Sequence, residues 1–157
     1  MEQRMNVHAK GQNAFKALYG LNNYLANCSI DKQLLNLIYY RVSQINGCAF
    51  CLDMHSKDLR AKGESEQRLY LMDAWRETPF YTDRERAALA WAEAVTLITK
   101  GHVPDEVYNE VSQQFSEDEM VELTMAVNAI NIYNRVNIAF RVQAGSYKVP
   151  AHAVQSN

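Results

Sequence analysis

Residues Leu34 to Gly63 read LLNLIYYRVSQINGCAFCLDMHSKDLRAKG, and the periodicity inside them decides the class of the chain. Leu34/Leu35, Ile38, Val42 and Ile45 recur every three or four residues, which is the spacing of one helix face and not the alternation of a strand. The pattern predicts a helix over 31–45. A second helix is expected to start near Asn46–Cys48 and to stop before Gly63, a residue suited to the left-handed turn past a helix end.

The same spacing extends in both directions. The segment 13–25 reads as helical, and Thr82-Asp83-Arg84-Glu85 reads as a capping box followed by Ala87, Trp91, Ala94, Val95 and Ile98 on one face. Gly101 is expected to end that helix and Pro104 to open the next, since proline lacks an N–H that the first turn does not use. Ser116-Glu117-Asp118-Glu119 is a second capping box, opening the longest helix, expected to run to about Gln143. That helix is apolar on more than one face, as expected of an element central to a core or shared with another subunit. It also carries Asn128, Asn131, Asn134 and Asn137 at three-residue steps. Buried amides find partners, so these are expected to serve backbone or a neighbouring helix, with substrate contact as the alternative. The fold class is all-α, with six to seven helices in one domain over 1–145 and a loose tail over 146–157.

Composition narrows the function. At 157 residues, with 48% apolar and 22% charged residues, the chain can bury a full core. A formal net charge of −2 offers no basic surface for nucleic acid. No apolar run is long enough to span a bilayer, and the opening MEQRMNVHAK lacks the hydrophobic segment of a signal peptide. A cytoplasmic location is the expectation, with thiols kept reduced unless they cycle.

Three cysteines are present, an odd number that argues against a disulfide scaffold. On a helix Cys48 and Cys51 lie three apart and His55 four further on, so all three project from one face. A first-turn position favours an anion, because unpaired N–H groups and the helix dipole point there. It lowers a thiol below its usual value of about 8.5. His55 is placed to accept or relay a proton from Cys51, the nearer thiol, which suits nucleophilic sulfur chemistry. Covalent haem attachment wants a histidine directly after the second cysteine, and Leu52 stands there. Zinc wants about four ligands, and Cys28, His8, His102 and His152 lack knuckle spacing. Buried inert cysteines are the bland alternative; redox spacing and a phased histidine favour a redox pair, with Cys28 left as a core residue. Glu85 and Glu93, two turns apart on one helix face, read as exposed or salt-bridged carboxylates, with service to the site as the alternative, and Asp53 and Asp58 read as solvated.

The block from Leu34 to Thr96, with RVSQINGCAFCLDMHSKDLRAKGESEQRLYLMDAWRE and ERAALAWAEAVT, resembles the carboxymuconolactone decarboxylase/AhpD-like superfamily, and more narrowly its single-domain alkylhydroperoxidase-core proteins. FSEDEMVELTMAVNAINIYNRVNIAFR extends the likeness to most of the chain. The resemblance implies an all-helical fold on a helical hairpin, assembling as a homo-oligomer, commonly a trimer or hexamer. It implies a thiol-dependent peroxidase in which Cys51 attacks a hydroperoxide, Cys48 resolves the sulfenic acid as a disulfide, and His55 belongs to the proton relay. A dithiol donor, a lipoylated protein or a thioredoxin-type reductase, would restore the thiols. No metal, haem, flavin or other cofactor is implied.

One position departs from that pattern. The family's relay includes a glutamate twelve residues before the first cysteine, where this chain has Asn36. An amide holds a water but cannot carry a proton as a carboxylate does. By helical phase Asn36 shares a face with Tyr40 and Ser43, so these three are expected to line the site. The alternatives are a redox sensor or binding protein without turnover, and a decarboxylase of small cyclic acids, which would not need the cysteine pair.

Overall fold

Asp31 starts the central helix: its carboxylate accepts hydrogen bonds from the backbone N–H groups of Gln33 and Leu34, satisfying two donors that a helix start leaves open. In the computed structural model, which describes residues 2–150, this helix is α3 (Lys32–Asn46). It follows α1 (Val7–Lys10) and α2 (Gln12–Ala26), and is followed by α4 (Ala49–Ala61), α5 (Glu66–Tyr70), α6 (Asp83–Thr96), α7 (Asp105–Ser112) and α8 (Glu117–Phe140). Two short 3-10 helices, Met72–Glu77 and Ile98–Lys100, complete the set, and no strand occurs among the described residues. The eight α-helices exceed the six to seven expected, because α1 and α5 are too short to leave a periodic signature. Both capping boxes are present, with Thr82 and Ser116 each paired to the glutamate three residues on. The last helix ends at Phe140, short of Gln143, where Arg141 turns left-handed at φ 55°.

Helix α3 packs against α4, α6 and α8 and separates two apolar clusters. One face presents Leu34, Leu35, Ile38 and Val42 to α6 and α8. The other presents Leu37 to Leu59, Met72, Trp75 and Leu89. Each such leucine is worth roughly 2 kcal/mol of transfer free energy. On the long helix the expectation of a core role holds for Leu123, Ala126 and Val127, which are fully buried. Its outer side leaves Val121, Met125 and Ile132 exposed.

The α3–α4 hairpin turns on Gly47. Its φ of 69° is left-handed, and its N–H returns to the carbonyls at the end of α3, the arrangement that closes a helix most cheaply with glycine. A Cβ at Gly47 would meet nothing within 4 Å, so Gly47→Ala is a test of backbone strain alone. The expected loss is about 1 kcal/mol, seen as a lower urea midpoint with an unchanged slope. An unchanged midpoint would mean that the turn is not held in this conformation.

Candidate functional site

The tight turn places Cys48 as the N-cap of α4. Its Sγ accepts the N–H of Cys51 at 3.4 Å, and the two cysteines are joined as a disulfide with their Cα atoms 5.3 Å apart. Both are buried, at 1% and 0% exposure, yet they differ in what they face. Cys51 lines a cavity of about 580 Å³; Cys48 is not among its lining residues. Cys28 is half-buried and packed against the core.

Helical spacing explains who joins Cys51. From α4 come Cys51, Met54 and His55, with Lys62 just past its end; from α3 come Lys32, Leu35, Asn36 and Tyr39. Each set steps by three or four residues along one face or repeats it further on. Ile130, Tyr133 and Asn137 of α8 form the third wall, and Asn22, Leu25 and Ala26 of α2 close it.

His55 is buried, and among the described residues neither ring nitrogen has a hydrogen-bond partner. Its ring leans on Tyr39, with centroids 5.4 Å apart at 45°. Burial lowers the imidazole from 6.5 to about 4, so at neutral pH it is uncharged, one nitrogen a donor and the other an acceptor. Burial likewise raises the Tyr39 phenol to about 12, keeping it protonated.

The asparagine ladder divides. Asn128 is exposed. Asn131 and Asn134 accept from the Asn46 amide at 2.9 Å each, and Asn134 donates to Ser43 Oγ at 3.0 Å, so these two tie α8 to the hairpin. Asn137 instead donates from Nδ2 to Cys51 Sγ at 3.3 Å, while its buried Oδ1 has no partner among the described residues. An unpaired polar atom in a buried place costs about 1–3 kcal/mol. Among the described residues three such atoms occur, two on His55 and one on Asn137, and all belong to residues lining the cavity that Cys51 faces.

Of the three residues expected to line the site from α3, Asn36 does so, and its side chain donates to Lys32 O at 3.0 Å. Tyr40 does not. It packs on the Leu37–Leu59 cluster, since one residue further along the helix rotates the side chain by about 100° out of the cavity. Ser43 is fully buried between Tyr39 O and Asn134, one step too deep to meet a ligand. Tyr39 takes the place expected of Tyr40.

The salt-bridged reading holds for Glu85 and Glu93, while Asp53 and Asp58 have partners within the chain and are not simply solvated. Glu93 accepts from Arg41, Trp75 Nε1 and Arg76, and Glu85 pairs with Arg68; neither lines the cavity. Asp53 accepts from Lys57 and Gly145 N, and Asp58 from the Tyr147 hydroxyl at 2.8 Å. Gly145 and Tyr147 are therefore held on α4, with Tyr147 against the cavity; His152 lies outside the described residues. Among the described residues no group of three or more His, Cys, Asp or Glu side chains is placed to hold a metal ion, and no helix is long and apolar enough to cross a membrane.

Residues 12–94, more than half of the chain and spanning the α3–α4 hairpin, match the model of the carboxymuconolactone decarboxylase family. The chain belongs to this family. Uncharacterized protein YdfG of Bacillus subtilis is 42% identical over 146 residues, covering 93% of this chain and 99% of that protein. ATU0492 of Agrobacterium tumefaciens, a protein of unknown function and candidate antioxidant defence protein AhpD, has a crystal structure that superposes with a TM-score of 0.89. It is 42% identical, with 93% of this chain and all of that one covered. The fold is thus AhpD-like. The debrominase Bmp8 shares the fold at a TM-score of 0.77 and 24% identity, over 88% of this chain and 74% of that one. A family fold that carries different chemistries leaves the reaction to be argued from the site. The paired cysteines fit a thiol redox role.

Proposed function

We propose that this chain is a thiol-dependent hydroperoxide reductase that cycles the Cys48–Cys51 disulfide. The observation that carries the reading is the asymmetry of the pair: Cys51 faces a cavity with His55 and Asn137 beside it, while Cys48 is sealed behind. In the proposed cycle a dithiol donor, a lipoylated protein or a thioredoxin-type reductase, reduces the disulfide to two thiols and is itself oxidised to a disulfide. His55, neutral in its apolar surroundings, takes the proton of the Cys51 thiol. The thiolate attacks the terminal oxygen of the hydroperoxide; an S–O bond forms, the O–O bond breaks, and the alkoxide leaves with the proton from His55 as an alcohol. Cys48 then attacks the sulfenic sulfur, water departs, and the disulfide is restored.

Asn137 is assigned the task of holding the thiolate. A hydrogen bond to a charged acceptor is worth about 1.5–3 kcal/mol, so its amide favours the ionised sulfur. Asn36, standing where the resemblance places a glutamate, orders water near the relay without carrying a proton, which implies slower turnover than a carboxylate would give. Self-association through the exposed Val121, Met125 and Ile132 side of α8, in a trimer or hexamer, belongs to the same proposal.

Two measurements test it. Continuous hydroperoxide consumption in the presence of excess dithiol marks a catalyst; oxidation that halts after one equivalent marks a redox sensor and contradicts the proposal. In the reduced protein, Asn137→Ala is expected to raise the Cys51 thiol by about one to two pH units, read from the pH dependence of alkylation. An unchanged profile would remove Asn137 from the machinery.

A further inference from the structure

The cavity has a direction, set by the hairpin. Cys51 sits in the first turn of α4 and Lys62 just past its last, about 16 Å apart along the axis at the helical rise. Lys32 begins α3, the partner strut of the hairpin, so it lies at the same open end as Lys62. Helix α8 repeats the order, with Asn137 beside Cys51 and Ala129 and Ile130 lining the cavity about two turns away toward the lysine end. The space is therefore a trough with sulfur at one end and two ammonium groups at the other.

Between the two ends the walls carry Leu25, Leu35, Met54, Ile130 and the ring of Tyr133, with Asn22, Asn36 and Tyr39 among them. No aspartate or glutamate is among its lining residues. Carboxylates near the lysine end in sequence are already engaged, Asp58, one turn before Lys62, by the Tyr147 hydroxyl at 2.8 Å. Asp31 caps α3, and Glu64 is paired with Arg68 at 2.8 Å. Among the described residues neither Lys32 nor Lys62 takes part in an ion pair.

We infer that this trough selects a long-chain amphiphile, a hydroperoxide of an unbranched fatty acid whose carboxylate meets Lys32 and Lys62 while its chain carries the peroxide to Cys51. This rests on the thiol reading of the same cavity and adds the chemical class of its substrate. A volume of about 580 Å³ accommodates such a chain, and a short alkyl or a single ring does not span the approximately 16 Å between sulfur and ammonium groups. The lysines distinguish the acid from its ester, and the apolar wall distinguishes long chains from short ones.

Binding of parinaric acid, a fluorescent polyene fatty acid, to the oxidised protein tests this without any sulfur chemistry, because the disulfide form has no free thiol in the trough. The acid is expected to bind about five- to tenfold more tightly than its methyl ester, the worth of two solvent-screened ion pairs. That preference should vanish in K32Q/K62Q and survive in K32R/K62R. Saturated fatty acids competing for the site should gain up to about fourfold in affinity per added methylene until the trough is filled. Equal binding of acid and ester, a preference that persists in K32Q/K62Q, or no binding of either probe overturns the inference. Such a result leaves the thiol cycle standing if peroxide is still consumed, whereas binding without peroxide consumption sinks the cycle and keeps the ligand class.

Discussion

Cys51→Ser is expected to reduce dithiol-dependent hydroperoxide consumption to the rate without protein, a fall on the order of a thousandfold or more for loss of a nucleophile. The reason is positional. Cys51 lines the cavity and receives the Asn137 amide, whereas the Cys48 sulfur is turned back on the α4 start, accepting the Cys51 N–H. Cys48→Ser is expected to fail differently. Its first attack proceeds, one equivalent of alcohol is released, and the Cys51 sulfenic acid persists long enough to be trapped by dimedone. If the two variants exchange these phenotypes, the roles of the sulfurs are reversed. If both variants turn over like the parent, the sulfurs are bystanders and the chemistry belongs elsewhere on the fold.

The second large effect is on stability. Glu93→Ala is expected to cost about 3–5 kcal/mol, the range for removing one partner of a buried charge cluster, measured by urea unfolding. The Glu93 side chain is 14% exposed and that of Arg41 11%, and Trp75 Nε1 would lose its acceptor as well. Burial pushes the Glu93 carboxyl up, but hydrogen bonds from Trp75, Arg76 and Arg41 outweigh it and hold the group below its usual 4.5. A carboxyl depressed in the folded state stabilises the fold above its unfolded pKa, and that contribution is lost as the pH falls through the folded value. Acid destabilisation below about 4.5 should therefore be weaker in Glu93→Ala than in the parent. His55 adds a separate contribution. Lowered to about 4 from 6.5, it binds its proton more readily when unfolded, so stability falls as the pH drops from 6.5 toward 4. A variant with parental stability and parental acid profile would show that the Glu93 cluster is solvated in practice.

The helices were legible because the signals that start and stop them are local. Asp31, Thr82 and Ser116 cap from their own side chains, and Gly47 ends α3 through its own backbone freedom. The phasing of Cys51 and His55 on one face is likewise a property of a single helix, whereas Cys48, expected on the same face, stands at the N-cap and does not line the cavity. What sequence did not yield lies between helices. Whether Tyr39 or Tyr40 enters the cavity depends on how α3 is rotated against α4 and α8, and both residues satisfy the spacing from Asn36 equally. Asn137 could be counted in the asparagine ladder but not assigned to Cys51, 86 residues away. The roles of Asp53 and Asp58 in holding Gly145 and Tyr147 are equally invisible along the chain. A polar residue in an apolar helix announces that it has a partner; only the packing names it.

The central claim is that Cys48 and Cys51 form a redox couple driven by peroxide. Intact mass spectrometry of the fully reduced protein, before and after one equivalent of hydroperoxide, tests it most directly. The expected result is loss of two hydrogens, with peptide mapping placing the bridge between residues 48 and 51 and Cys28 still free. An unchanged mass, or oxygen added to methionine or to Cys28 while the pair stays reduced, would contradict it.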